Sequence, residues 1–425
     1  MGKKVVLSLA GGVLFWLLMA CSAIEEEPLP TLVPVIQLPQ PTETPAPDPT
    51  ASSELASEPD PTLAPTEPTA TAAVVPLSNR GAMVYVHSIG EGLFLANPSE
   101  ATQTQYYALQ GVEKLLPASF NGERIGLIRD GRLYIARTDG SGLVEITAVS
   151  NPSWLIWSPT KDEFALVDNG DLVVMQADSG AANRLTSGMQ LADIPGSVAW
   201  SPDGRELLFT CGAQATDLCR VASDGSGAIL NITNNGADSF AWYREPTWSP
   251  DGSKISYVSP DDDKNLQLFM MNADGSDRQQ LTEGAGQNSL HQWSPDGVRI
   301  AYANFADGTW RALAVDVDGA GQLDLTGMLS DLDSVIPKWG PTGENAILLY
   351  TTNSAVNAIS VALVSLGETA VTPITDNGWQ LQWSSNGQQI AYIADDAQIY
   401  VQAVTATTPF VVNCQSGCDS FVWLP

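Results

Sequence analysis

Histidine is nearly absent: His87 and His291 are the two in 425 residues, so a three-histidine metal site is excluded by counting. Positive charge is scarce as well. Nineteen Lys and Arg stand against 48 Asp and Glu, a formal net charge of −29. Phosphate binding needs a basic surface that releases counterions, so this balance argues against nucleic acid. It also disfavours adsorption onto anionic lipid headgroups. Charged residues make up only 16% of the chain while 44% are apolar, which leaves enough material for a sizeable core. No convincing helical period occurs from 81 to 425. The apolar stretch Val5 to Leu18 has 14 residues, short of the roughly 20 that span a bilayer.

That short stretch, preceded by Lys3 and Lys4, reads as a signal peptide. It ends in Leu18-Met19-Ala20-Cys21, which resembles the lipobox of bacterial lipoproteins. The resemblance implies cleavage after residue 20 and lipidation of Cys21; an ordinary secretory signal with an incidental cysteine is the alternative. Residues 21–80 then form a tether. Thirteen of the 28 prolines and eight threonines fall in 25–80, with no hydrophobic period, so the segment is expected to stay disordered and rich in polyproline II.

From 81 onward the chain repeats itself. Trp-Ser-Pro-Asp-Gly stands complete at Trp200–Gly204, Trp248–Gly252 and Trp293–Gly297, and degraded at Trp157, Trp339 and Trp383. Phe120-Asn121-Gly122 reads as a shorter copy, and Trp423 stands where one more would begin. Spacings between successive aromatics are 37, 43, 48, 45, 46, 44 and 40 residues. Each motif is followed by an alternating strand such as Lys254-Ile-Ser-Tyr-Val-Ser, then by two further strands joined at Asp-Gly-Ser turns. A period near 40–45 with four strand signals per unit predicts the blades of an all-β propeller.

The motif resembles the TolB-type propeller repeat, a WD-like family, over essentially all of 81–425. TolB proteins carry an α/β domain before the propeller, and here the Pro/Thr tether takes that place, so the Tol–Pal role is not implied. A shared fold does not imply a shared function. Eight blades are expected, the eighth combining strands near 82–108 with the C-terminal Ser420-Phe-Val-Trp-Leu, so that the last strand closes the ring. Seven remain possible if the first unit is not a true sheet. The resemblance extends to two enzyme groups whose chemistry this sequence lacks. Prolyl-oligopeptidase-like peptidases need a Gly-x-Ser-x-Gly elbow, which does not occur here, and oligogalacturonate lyases use a histidine cluster.

With Cys21 assigned to lipid, four cysteines remain. Cys211 with Cys219 and Cys414 with Cys418 suit hairpin disulfides outside the cytoplasm; buried free thiols are the other reading. Metal is not expected, although Asp261-Asp262-Asp263 is a candidate for Ca²⁺, with simple solvation as its competitor.

The turns after the first and third strands repeat from blade to blade, so recognition is expected on the other face, where loops vary. Trp242, Tyr243, Arg244, Trp379 and Asp261–Asp263 are the candidate binding residues there. Blade-edge packing of those tryptophans is the competing account. The expected function is a membrane-anchored extracytoplasmic module, most simply a monomer, that binds an envelope protein or a glycan. A channel enzyme using paired carboxylates, or a purely structural envelope protein, are the alternatives.

Overall fold

Alternating apolar residues become strands throughout. The structure, a computed structural model, describes residues 82–425 apart from 88–91, 98–101, 108–110, 148–153, 192–195, 213–216, 235–242, 328, 330–331, 343–345, 354–357, 367–370, 376, 407 and 415–416. The signal segment, Cys21, the Pro/Thr-rich stretch and Trp242 lie outside the described residues. All described residues belong to the unit Ala70–Pro425. It is all-β, with no helix among them.

The strands pair in chain order into four-stranded antiparallel sheets. Their first strands are Val112–Ala118, Ile156–Trp157, Val198–Trp200, Arg244–Trp248, Gln287–Trp293, Ser334–Trp339 and Gly378–Trp383. Each is named below by its last residue. One further sheet is composite: Met83–His87, Leu93–Asn97 and Thr102–Tyr107 pair with Cys418–Trp423, Met83 lying opposite Trp423. The Trp248 and Trp293 sheets also touch through a single parallel bridge, Leu266 to Gln287.

Apolar side chains on the sheet faces meet in eight clusters, each shared by two consecutive sheets. Tyr257, Phe164, Phe209 and Phe421 are fully buried in them. At about 1.5–3 kcal/mol for each fully buried large apolar side chain, these seams supply most of the favourable free energy.

The repeated turn has a definite chemistry. Ser201 Oγ accepts the Glu206 N–H at 2.9 Å and donates to Asp203 Oδ1 at 2.7 Å, while Asp203 Oδ1 accepts the Arg205 N–H at 3.1 Å. Gly204, at φ 69°, supplies the left-handed residue that returns the chain. The same atoms recur at Ser249, Ser294 and Ser384. They recur at Ser119 too, whose hydroxyl donates to Asn121 Oδ1 and accepts the Arg124 N–H. Ser119 therefore holds the serine place, and the alignment of Phe120 with the tryptophans is corrected. Ala118 occupies the tryptophan position, pairing with Ile125 as Trp200 pairs with Leu207, and Phe120 stands where proline does, 45% exposed.

The recurring tryptophan joins one sheet to the previous one. The indole N–H donates to the carbonyl of the residue preceding the corresponding position: Trp157 to Pro117 at 2.7 Å, Trp200 to Ile156 at 3.1 Å, Trp339 to Gln292 at 3.0 Å and Trp383 to Lys338 at 3.4 Å. Both expected cysteine pairs form disulfides, Cys211–Cys219 and Cys414–Cys418.

Candidate functional site

The binding residues expected from the sequence scatter. Tyr243 is fully buried, edge-on to Tyr257 at 5.0 Å, with its hydroxyl accepting from Arg278 Nη1 at 3.1 Å. It presents no surface to a partner; this removes it from the candidate patch. Its hydrophobic ring is simply the better core residue at that strand entry. Arg244 is exposed at the start of the Trp248 strand, and the surrounding protein lowers its pKa by desolvation. Trp379 is half-buried against the cluster that contains Phe421. Asp261 Oδ1 accepts the Asn265 N–H at 2.8 Å and so closes its own loop, while Asp262 and Asp263 point to solvent. The Asp261–Asp263 loop and Trp379 belong to sheets separated by two others. Among the described residues no three His, Cys, Asp or Glu gather as a metal-holding group.

Chemistry concentrates instead on the first strands. Three of them bulge: Glu245, Leu290 and Gln380, each three residues before its tryptophan, have φ of 52°, 53° and 54°. An extra residue in a strand re-aims its neighbours. At the first bulge Glu245 Oε2 accepts the Leu290 N–H at 2.6 Å and lies 3.6 Å from His291 Nδ1, while His291 Nε2 meets Ser256 Oγ at 2.9 Å. The row Ser256–His291–Glu245 has the order of a nucleophile, base and orienting carboxylate. Its serine and the imidazole ring are both 0% exposed, so no substrate carbonyl reaches the hydroxyl. What the row does in this structure is pin two neighbouring sheets together.

At the third bulge the glutamines seat the C-terminal strand. Gln380 Nε2 donates to Ser420 Oγ at 2.9 Å and its Oε1 accepts the Phe421 N–H at 3.2 Å. Gln382 Nε2 donates to the Phe421 carbonyl at 2.9 Å and its Oε1 accepts the Trp423 N–H at 3.0 Å.

Beside this seam lies a cavity of about 500 Å³ between the Ala118, Trp339, Trp383 and Trp423 strands. Its walls are Leu115 to Phe120, Gln380, Gln382, Phe421 to Trp423 and Pro425, and Lys338 is its one charged side chain. The Lys338 ammonium donates to the Leu381 carbonyl at 3.3 Å and has no carboxylate partner among the described residues. Burial without a counter-charge lowers its pKa. The residue as a whole is nonetheless exposed. The Trp423 indole N–H, also at the wall, is buried with no hydrogen-bond partner.

Ser119 and Phe120 place this cavity at the repetitive end of the strands, opposite the loops that the sequence favoured. Sequence reading missed Lys338, although a signal was there. In the column preceding the tryptophan position the residues are Pro117, Ile156, Ala199, Thr247, Gln292, Lys338, Gln382 and Val422, with a single charge among eight. A second cavity of about 390 Å³ is lined by Glu283, Asp307, Asp324 and Arg311 together with Asn288, Asn304 and Gln322, and Asn304 Nδ2 donates to Asn288 Oδ1 at 2.7 Å.

No family model matches the chain. An uncharacterized protein of Agrobacterium fabrum is 31% identical over 189 residues, 41% of this chain and 61% of its own. The Tol-Pal system protein TolB of Alcanivorax borkumensis is 40% identical over 63 residues, 15% of this chain and 14% of its own. Over that stretch the chain is similar to TolB. Among solved structures, dipeptidyl peptidase 4 of Porphyromonas gingivalis superposes at TM-score 0.61 with 10% identity, over 81% of this chain and 60% of that one. That likeness speaks for fold alone. The chain spans less than two thirds of the length of these curated relatives.

Proposed function

We propose that this protein is an extracytoplasmic binding module, tethered to a membrane through lipid on Cys21, that presents an eight-bladed ring closed by the Trp423 strand to an envelope protein or glycan. The observation that carries the binding reading is the Lys338 cavity. It combines an open volume with a lysine that has no ion pair among the described residues, at the meeting of four strands, which suits a recognition pocket. The ring reading draws on the eight inter-sheet clusters and on the pairing of Met83–His87 with Cys418–Trp423. Location outside the cytoplasm draws on the two disulfides and the Leu-Met-Ala-Cys ending. A catalytic role has weaker support, because the Ser256–His291–Glu245 row is sealed from solvent.

The test uses the full chain in intact envelopes. Cys21→Ala is expected to move the protein from the membrane to the soluble fraction with its melting temperature unchanged. Affinity capture with the tethered protein should recover a partner that Lys338→Met loses. Retention of Cys21→Ala in the membrane overturns the anchor, and capture insensitive to Lys338→Met overturns the site.

A further inference from the structure

We infer that the cavity of about 390 Å³ on the Trp293 sheet takes a neutral, hydroxyl-rich sugar unit, with Arg311 as donor and Asp324 as acceptor. It shares no lining residue with the Lys338 cavity and goes beyond the reading of that one.

The repeat supplies the first argument, because the same two places hold an ion pair in other sheets. In the Ala118 sheet Tyr134 lies opposite Glu145, and Arg132, two residues before Tyr134, donates to Glu145 Oε1 at 2.8 Å. In the Trp157 sheet Val173 lies opposite Arg184, and Asp171, again two residues before, is 3.5 Å from Arg184 Nη1. In the Trp293 sheet Leu313 lies opposite Asp324, and Arg311 stands two residues before Leu313. The charges are complementary a third time, yet here the pair is open. Arg311 makes no hydrogen bond or ion pair among the described residues. Asp324 Oδ1 instead accepts the Thr326 N–H at 2.9 Å and the Gly327 N–H at 3.3 Å. Both side chains are exposed, and both line the cavity. A surface ion pair adds little to stability, so leaving this one open costs little and keeps a matched donor and acceptor accessible.

A second departure from the repeat fixes the lining. Asp171 and Asp217 each accept a threonine hydroxyl, from Thr186 at 3.1 Å and Thr233 at 2.9 Å. Gln267 holds that place in the Trp248 sheet, and its Oε1 accepts from Thr282 Oγ1 at 2.7 Å and from Asn288 Nδ2 at 2.9 Å. Unlike an aspartate it also has an N–H to give. Gln267 Nε2 donates to the Gly284 carbonyl at 2.7 Å and so holds the loop that carries Glu283, while Asn288 Oδ1 holds Asn304. Gln267, Thr282 and Asn288 are buried, and a satisfied buried network of this kind is rigid.

The chemistry of the lining chooses the ligand. Glu283 and Asp307 are exposed carboxylates with no hydrogen bond among the described residues. An anion would meet like charge at these two and at Asp324. A simple ammonium has no acceptor to offer Arg311. An apolar side chain would take water from these groups and return no hydrogen bond. A hydroxyl both donates and accepts, so neighbouring sugar hydroxyls satisfy the guanidinium and the carboxylates together. A cavity of about 390 Å³ lies within the range of small-ligand sites.

Saturation-transfer NMR of the full chain with glucose, galactose, mannose, N-acetylglucosamine, glucuronate and glycylglycine tests the inference. At least one neutral sugar is expected to bind, glucuronate at least tenfold more weakly, and Arg311→Met should weaken the sugar at least tenfold. The melting temperature of Arg311→Met should match that of the parent, because an exposed side chain without a partner is removed; if that variant does not fold, Arg311→Gln is read in its place. Arg132→Met, which removes the paired counterpart in the Ala118 sheet, should leave sugar binding unchanged. Binding to no neutral sugar, or binding indifferent to Arg311→Met, overturns the site, as does an equal loss in Arg132→Met. Arg311-dependent binding of glucuronate or glycylglycine that exceeds every neutral sugar overturns the ligand class. Capture through Lys338 is a separate measurement, so this site and the proposed function fail independently.

Discussion

Trp339 and Trp423 hold the same place in their sheets and are equally buried, each 6% exposed. Each also receives the same backbone support: Gln292 Oε1 accepts the Trp339 N–H and Gln382 Oε1 accepts the Trp423 N–H, both at 3.0 Å. They differ at one atom. Trp339 Nε1 donates to the Gln292 carbonyl at 3.0 Å, whereas Trp423 Nε1 meets nothing. The repeated residue is thus kept for its packing, and its hydrogen bond is made only where the adjoining sheets approach closely enough. The seam at Trp423 joins a strand from one end of the chain to strands from residues 83–107, and glutamine side chains stitch it.

Breaking the Trp423 seam outright should have the largest effect. Deleting 419–425 removes the buried Phe421, Val422, Trp423 and Leu424 and strips Met83–His87 of one of its two partner strands. At about 1.5–3 kcal/mol for each such side chain the loss reaches about 6–12 kcal/mol, comparable with the roughly 5–15 kcal/mol that holds a domain folded. The exposed edge also templates association. Size-exclusion chromatography and limited proteolysis should show aggregation and cleavage near residues 82–110. A monomer with an unchanged melting temperature would refute the seam's importance.

The disulfides sharpen the comparison at intermediate size. Cys414–Cys418 closes four residues next to the Trp423 seam, and Cys211–Cys219 closes eight within the Trp200 sheet. Chain entropy assigns each about 2 kcal/mol, slightly more to the longer loop. Replacing either pair by serine should therefore lower stability by similar amounts in denaturant titration. Only loss of Cys414–Cys418 should bring early cleavage of the terminal strands. Identical protease patterns for the two double variants would show that the seam does not open separately.

Much of this architecture was legible because the repeat is punctuated by residues with single roles. Serine, aspartate or asparagine, and glycine at Ser201, Asp203 and Gly204 build one hydrogen-bonded turn, and its copies mark where first strands end. The same rule corrects Phe120. Following the aromatic shifted the register by two residues, and following Ser119 and Asn121 would have kept it. Other features left no local trace. Glutamate, leucine and glutamine occupy the three bulges, so no residue type announces the positive φ. Tyr243 looked like loop surface because Trp-Tyr-Arg follows a long connection; its burial depends on Tyr257 and Arg278, which are remote in sequence. Lys338 did leave a trace, as the single charge in the column preceding the tryptophan position, but that it forms no ion pair among the described residues is visible only in space.

The finest test of the opening contrast exchanges each tryptophan for phenylalanine. Trp339→Phe and Trp423→Phe remove the same atoms from equally buried sites, so the packing losses, about 1–3 kcal/mol each, should nearly cancel on subtraction. What remains is the indole N–H. At Trp339 its removal forfeits a hydrogen bond and strands the Gln292 carbonyl, while at Trp423 it deletes a donor that was already unpaired. A net intramolecular hydrogen bond contributes about 1 kcal/mol, and relief of an unpaired buried donor adds to the difference. Trp339→Phe should thus be the more destabilising by about 1–2 kcal/mol in urea titrations of the otherwise unmodified chain. Equal losses would mean that the Trp423 indole is bonded in solution as that of Trp339 is.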